Sequence, residues 1–234
     1  MSIQSMKKQV YLANKKLGKS GLVILTWGNV SMIDRTLGLV VIKPSGVSYR
    51  TMKEEDMVVV NLNGEVVEGS LKPSVDLLTH LELYKHFPLI ESIVHDHSTF
   101  ATAFAQAGKE IPPYGTTQGD TFYGSIPITQ PLEKEEVENN YTQNTGLSII
   151  KRFEKLDYQA IPGVLVYQHG VFAWGNDPDK AVENALIIEQ CAKMAYLTLM
   201  INSKAEVLPK YLLDEHYLRK HGKKASYGQE RIKK

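Results

Sequence analysis

The chain has 234 residues, enough to bury a full core, with 43% hydrophobic and 23% charged residues, the proportions of an ordinary globular protein. A formal net charge of +1 removes any general electrostatic case for nucleic acid or an anionic membrane surface, so an anion site has to be local. The lone Cys191 excludes an intrachain disulfide, "AYLTLMI" falls far short of the roughly 20 apolar residues of a membrane span, and "MSIQSMKKQVYLANKKLG" is charged where a signal peptide needs its apolar run. A cytoplasmic protein is expected.

Residues 6–19 read as an opening helix that stops near Gly18 and Gly21. "LVILTWGNVSMID" and "LGLVVIKPS" are rich in β-branched residues and predict strands, and Asn63-Gly64 within "MVVVNLNGEVVEG" predicts a hairpin. Consecutive hairpins imply a largely antiparallel sheet. "SVDLLTHLELYKHF" places Leu77, Leu81 and Tyr84 on one helical face, with Ser74 as N-cap and Pro88 as terminator. "LIESIVHDH" predicts a strand and "STFATAFAQAG" a short helix capped by Ser98 and closed by Gly108. The loop "EIPPYGTTQGDTFYGS" leads to a strand "IPIT", and a polar helix follows around residues 144–156. After the strands "GVLVYQHG" and "VFAWG", Asp177-Pro178 opens a helix whose Ala181, Ala185, Ile188, Ala192, Ala195 and Leu199 form one core-facing stripe. No repeat or low-complexity linker divides the chain, so residues 1–234 read as a single α/β domain with helices packed on an antiparallel sheet. The basic tail "RKHGKKASYGQERIKK" reads as solvated or subunit-contacting rather than as a nucleic-acid patch.

Of the seven histidines, His80, His86, His216 and His221 lie in predicted helices beside charged residues and read as surface or interface. His95 and His97 alternate along a predicted strand and so share a face. His169 ends an apolar strand just before a glycine, and strand ends are where sites gather. Three imidazoles suit Zn²⁺ and leave a position open for substrate, and Asp76 in the first turn of a helix is a candidate oxygen ligand. The alternative is that His95 and His97 simply bond to backbone at a sheet edge. "IKPSG" (42–46) and "LKPS" (71–74) each join a lysine, a proline and a serine. With a helix starting near Ser74, backbone N–H groups, hydroxyls and a cation can converge on an anion such as phosphate, although such turns also occur without one.

Together and in this order, "LTWGNVS", "VIKPSGV", "DMVVV", "VVEG", "KPSVD", "IVHDHS", "AQAG", "IPPYGTT", "TGLSII", "PGVLVYQHGVFAWG" and "HYLRKHGKKASYGQ" resemble the class II aldolase family, most closely its L-ribulose-5-phosphate 4-epimerase branch. The resemblance covers essentially the whole chain. It implies a three-layer α/β/α fold around a mainly antiparallel sheet and a homotetramer with fourfold symmetry and active sites between subunits. It also implies zinc or another divalent transition metal held by Asp76, His95, His97 and His169. In the family the substrate phosphate is held by residues matching Asn29, Lys43, Ser45, Gly46 and Ser74. A C-terminal tail, about 208–234, reaches the neighbouring subunit, which gives His216 and Arg219 a substrate-binding role. The tail also carries Tyr227 to the next site as acid/base partner of Asp120. The implied reaction interconverts L-ribulose 5-phosphate and D-xylulose 5-phosphate, a phosphorylated ketopentose pair, by retro-aldol cleavage and recondensation, with the metal as Lewis acid. A phenol near ~10 donates readily to a forming alkoxide, whereas an aspartate near ~3.9 must be raised to do so.

Several positions depart from the epimerase pattern. Val75 stands where a second phosphate-binding serine is usual, Asp96 replaces a threonine, Gln118 and Gly119 replace a His-Ala pair, and Thr142 replaces a glutamate associated with catalysis. All four implied metal ligands are present while these positions change. Two other readings therefore stand beside the epimerase: a class II aldolase cleaving a related ketose phosphate, and a non-catalytic scaffold like the adducin head. Fuculose-phosphate aldolases carry a glutamate at position 76, long enough to leave the metal and act as base, so Asp76 favours the epimerase. The three histidines speak against the scaffold.

Overall fold

The computed structural model describes residues 1–222 and 225. Its strands are β1 (Asn29–Asp34), β2 (Leu39–Ile42), β3 (Val58–Asn61), β4 (Val66–Glu68), β5 (Ser92–Asp96), β6 (Gly163–Leu165) and β7 (Val171–Gly175). They form a sheet in the order β4-β3-β2-β1-β5-β7-β6, every neighbouring pair antiparallel. The helices are α1 (Ile3–Lys19), α2 (Leu77–His86), α3 (Thr99–Gln106), α4 (Thr116–Gly119), α5 (Lys134–Arg152), α6 (Pro178–Ile201) and α7 (Lys210–His221). Asn63-Gly64 makes the expected hairpin, with Gly64 at φ +86 in the left-handed region that favours glycine.

Register fixes which residues face which layer. Asn29 pairs with His95, and His95 with Phe172, so these three lie on one face together with Ser31, Ile93 and Trp174. The layer of α2 and α5 covers that face. Ser31 Oγ is bonded to His80 and Tyr84 of α2, while Phe87 and Phe153, just past the ends of α2 and α5, pack on Trp174 at ring distances of 5.5 and 5.2 Å. Val30, Val94 and Ala173 point to the opposite face, against the layer of α1, α3 and α6. The result is the expected three-layer α/β/α arrangement. In α6, Ala181, Ala185, Ile188, Ala192 and Ala195 are buried as the stripe requires, whereas Leu199 is partly exposed and Met200 and Ile201 are exposed at the helix end. Among the described residues no helix is long and apolar enough to cross a membrane.

Four local expectations change. Residues 22–28 form turns rather than strand, with Leu25 at φ +57 and Gly28 at φ +77. A Cβ on Gly28 would lie 2.7 Å from the His95 carbonyl oxygen, so the chain bends there to let β1 approach β5, exposing Ile24, Leu25 and Trp27. "IPIT" makes only isolated bridges, Ile111 to Ile126 and Ile128 to Leu165, because Pro127 lacks the N–H that a ladder needs. α5 starts about ten residues earlier than the polar pattern suggested, through a capping box in which Glu136 Oε2 accepts from the Glu133 N–H at 2.7 Å. Ser74 is not the cap of α2. Asp76 takes that position, and the Ser74 N–H is spent on the Lys43 carbonyl at 3.0 Å.

α5 lies close against α2 at Gly146, where a Cβ would lie 2.9 Å from Glu82 Cβ and 3.2 Å from the Thr79 carbonyl oxygen. Gly146→Val is expected to force the helices apart and lower stability by about 1–3 kcal/mol, as overpacking does. The midpoint of urea unfolding checks this; an unchanged midpoint would contradict the contact.

Candidate metal centre

The pleat of β5 aims His95 and the following His97 to the same side, over the end of the sheet where β1 and β7 begin. His95 Nδ1 lies 2.8 Å from the Val171 carbonyl oxygen. A carbonyl only accepts, so Nδ1 carries the proton and Nε2 presents a lone pair. The Nε2 atoms of His95 and His97 are 3.1 Å apart. His169 arrives from the turn between β6 and β7, where Gln168 holds a left-handed φ of 53 and its N–H donates to the Ala105 carbonyl at 3.0 Å. A Cβ at Gly170 would stand 2.6 Å from the Asp96 carbonyl oxygen, so a glycine is needed for this turn to close on β5. One ring nitrogen from each of His95, His97 and His169 lies within 4.8 Å of the others.

Asp76 stands at the edge of this cluster, its Oδ2 4.0 Å from His95 Nε2. The same oxygen accepts from Asn29 Nδ2 at 2.8 Å and from Ser74 Oγ at 3.2 Å. Burial, then the neighbouring imidazoles, push His97 down to about 4 and His169 to about 3, against the opposing pull of Asp76. Burial alone would raise Asp76, but His95, His80, His169 and the Asn29 hydrogen bond outweigh it and hold the carboxyl below its ordinary range. Neutral His97 and His169 beside an ionised Asp76 carboxylate are in the protonation state a divalent ion requires. Tetrahedral zinc with bonds near 2.0–2.1 Å spaces its ligand atoms by about 3.3 Å, so a small closure of these side chains accommodates it. The residues fit a zinc-type ion.

The cluster forms one wall of a cleft of about 480 Å³. The two Lys-Pro-Ser turns lie side by side in the same lining. Pro44 and Pro73 form an antiparallel bridge, the Ser45 N–H donates to the Lys72 carbonyl at 2.9 Å, and Ser74 and Lys43 make the reciprocal bond. Lys43 is 2% exposed, its Nζ 4.8 Å from the Tyr49 ring centroid and 3.3 Å from both the Thr26 and Pro44 carbonyl oxygens. Burial lowers its pKa to about 8, with Asp76 pulling the other way. Among the described residues no carboxylate pairs with this cation.

Residues 8–196 match the family described as Class II Aldolase and Adducin N-terminal domain. The chain belongs to this family. An L-fuculose 1-phosphate aldolase structure is 27% identical, with a TM-score of 0.81 over 92% of this chain and 96% of that one. The fold recurs in l-fuculose-1-phosphate aldolase from Thermus thermophilus, 22% identical, TM-score 0.68, covering 85% of this chain and 100% of that one. It recurs again in a sugar-phosphate aldolase from Thermotoga maritima, 18% identical, TM-score 0.67, covering 86% and 97%.

Against the class II aldolase resemblance, the structure brings some expected residues together and separates others. Asp76, His95, His97 and His169 meet, and Asn29, Lys43, Ser45, Gly46, Ser74 and Val75 line the same cleft. Asn29 Nδ2 donates to both Ser74 Oγ and Asp76 Oδ2, so it orients the carboxylate. Asp120 lies elsewhere, outside the lining of the cleft. His216 Nδ1 and Arg219 Nη2 of the same chain each approach its carboxylate at 3.0 Å, and Lys220 Nζ at 3.4 Å. Burial raises the Asp120 pKa, but these three partners prevail and hold it low. Tyr227 lies outside the described residues. Gln118 is structural, donating to the carbonyls of Ile111 and Gly124, and Asp96 points to the far face, where burial raises it to about 6. His80 corrects the surface reading: it is fully buried, with Nδ1 2.7 Å from Ser31 Oγ. Tyr141 was missed. Its hydroxyl is 3.1 Å from His169 Nδ1, and nothing in its polar helical segment marks it in sequence.

The depressed histidines make acid sensitivity a test of the cluster. Their folded values near 4 and 3 lie below the ordinary 6.5, so the unfolded chain takes up protons first. Stability present above pH 6.5 is therefore lost as pH falls towards 4. Melting temperatures of the chelator-treated protein should fall across that window, and His97→Asn should flatten the slope while lowering zinc content. An unaltered slope and full zinc occupancy in the mutant would refute the assignment.

Proposed function

We propose that the protein is a metal-dependent enzyme acting on a phosphorylated ketopentose, an L-ribulose-5-phosphate 4-epimerase that forms D-xylulose 5-phosphate. The observation that carries this reading is one cleft holding both the three-imidazole set with Asp76 and the buried cation Lys43. Asp76, His95, His97 and His169 would hold a divalent ion, which would supply Lewis-acid stabilisation of negative charge on the ketose oxygens. Lys43, the Ser45 hydroxyl and the turn backbone at Gly46 would hold the phosphate beside Ser74, with Val75 offering only its N–H. Asp76 is short and is bound by Asn29 and Ser74, which suits a carboxylate that stays on the metal rather than leaving to act as base.

Proton transfer is assigned to Asp120 and Tyr227. With His216, Arg219 and Lys220 around it, Asp120 is an ionised acceptor, leaving the Tyr227 phenol as donor. Because Asp120 is grouped with His216 and Arg219 away from its own chain's cleft, this unit would serve the cleft of a neighbour in a homotetramer. Mixing inactive His97→Asn with inactive Asp120→Asn subunits should restore up to about a quarter of wild-type activity, since a cyclic assembly then contains sites with both halves intact. No recovery after verified subunit exchange would place both halves in one chain.

A second reading, a class II aldolase, is supported by the 27% identity to L-fuculose 1-phosphate aldolase over nearly the full length. Product analysis separates the two. The zinc-loaded protein is expected to convert L-ribulose 5-phosphate into D-xylulose 5-phosphate without releasing free fragments. Inertness towards that substrate, with release of dihydroxyacetone phosphate from L-fuculose 1-phosphate, would replace the epimerase by the aldolase.

A further inference from the structure

α5 is broken where it meets the cleft. Asn140 leaves helical space at φ −166 and ψ 78, and the chain restarts at Tyr141, whose carbonyl accepts from Thr145 Oγ1 at 2.9 Å. The restarted helix is fastened to α2, since Thr79 Oγ1 donates to the Thr142 carbonyl at 2.5 Å and Gln143 Nε2 to Glu82 Oε1 at 3.1 Å. Asn144 Nδ2 reaches back over the break to the Glu136 carbonyl at 2.6 Å. These bonds hold the Tyr141 side chain on the cleft wall, with its ring 5.8 Å from the ring of His169 and its hydroxyl 3.1 Å from His169 Nδ1.

His169 needs such a partner more than His95 does. The His95 ring sits on a strand, and its tautomer is fixed by the Val171 carbonyl, whereas His169 sits in a turn. Two arrangements of the Tyr141–His169 bond exist. If the phenol donates to Nδ1, the imidazole proton sits on Nε2, which then cannot bind a cation. If Nδ1–H donates to the phenol oxygen, Nε2 carries the lone pair, as it does in His95.

We infer that Tyr141 is a positioning residue of the metal centre: its phenol oxygen accepts the Nδ1–H of His169 and thereby fixes the tautomer and ring angle that make the third imidazole a ligand. The inference rests on the metal-dependent reading above. It assigns to the side chain next to Thr142 a role that the identity of residue 142 does not touch.

The test uses the full-length protein. Tyr141→Phe keeps the ring and removes only the oxygen, and its zinc affinity, measured by competition with a chromophoric chelator, is expected to weaken by about 10–100-fold, the usual effect of losing such a partner. Long-range proton–nitrogen NMR of the metal-free protein should show His169 as the Nδ1–H tautomer in wild type and a mixture in the variant. A tyrosine that merely packs would move neither readout. Tyr141→Gln, which restores an acceptor on a flexible stem, should bind zinc more tightly than Tyr141→Phe; the reverse order overturns the inference even if both variants are less stable. Equal zinc affinity in wild type and Tyr141→Phe overturns it while leaving the metal reading intact. A wild-type protein that takes up no zinc overturns both.

Discussion

Three imidazoles with converging nitrogens are the constraint around which this molecule is arranged. Lone pairs 3.1 Å apart on His95 and His97 repel unless a cation or a shared proton lies between them, so the surrounding fold must hold them there. The sheet does most of this. β5 is paired on both sides, to β1 and β7, and the Val171 carbonyl that fixes the His95 tautomer belongs to the same ladder. A slip of one residue in that pairing would turn His95 and His97 to the far face and put Asp96 into the cleft.

The other candidate ligands come from less regular structure and carry correspondingly more hydrogen-bonded support. Asp76 opens α2 and is tied to Asn29 of β1 and to Ser74. His169 lies in a turn closed by Gly170 against β5 and by Gln168 against the end of α3. The division follows from stiffness: a strand residue inherits its orientation from the ladder, whereas a turn residue must be held by side-chain bonds of its own.

Charge balance in the cleft is local, as the near-zero net charge requires. Burial disfavours protonation of His97, His169 and Lys43 alike, while Asp76 opposes it in all three. Lys43 keeps most of its charge at neutral pH with the Tyr49 ring and two carbonyl oxygens as its surroundings. Such a cation favours an anionic guest, which would replace the water it gave up on burial. Behind the cleft, His80 is pushed down to about 3 by burial and shares Ser31 with Tyr84, a polar seam that links α2 to β1.

The sequence by itself determined the α/β class, the antiparallel hairpins, the alanine stripe of α6 and the pairing of His95 with His97, because these depend on periodicity and on residues a few positions apart. His169 at a strand end and Asp76 in the first turn of a helix were candidates from position alone, and the motif resemblance implied that they join the same set. Only the tertiary structure decided which side chains serve them. Asn29 turns to the Asp76 carboxylate, His80 is buried because Ser31 meets it across the layers, and Tyr141 reaches His169 because a break in α5 and its bonds to α2 aim it there. These are contacts between residues 28 to 49 positions apart, with no shared period, and their geometry exists only once α2 and α5 are laid on the sheet. The strand expected over residues 22–28 failed for the same reason, since the close approach of Gly28 to His95 is a demand of packing that local β-propensity cannot register.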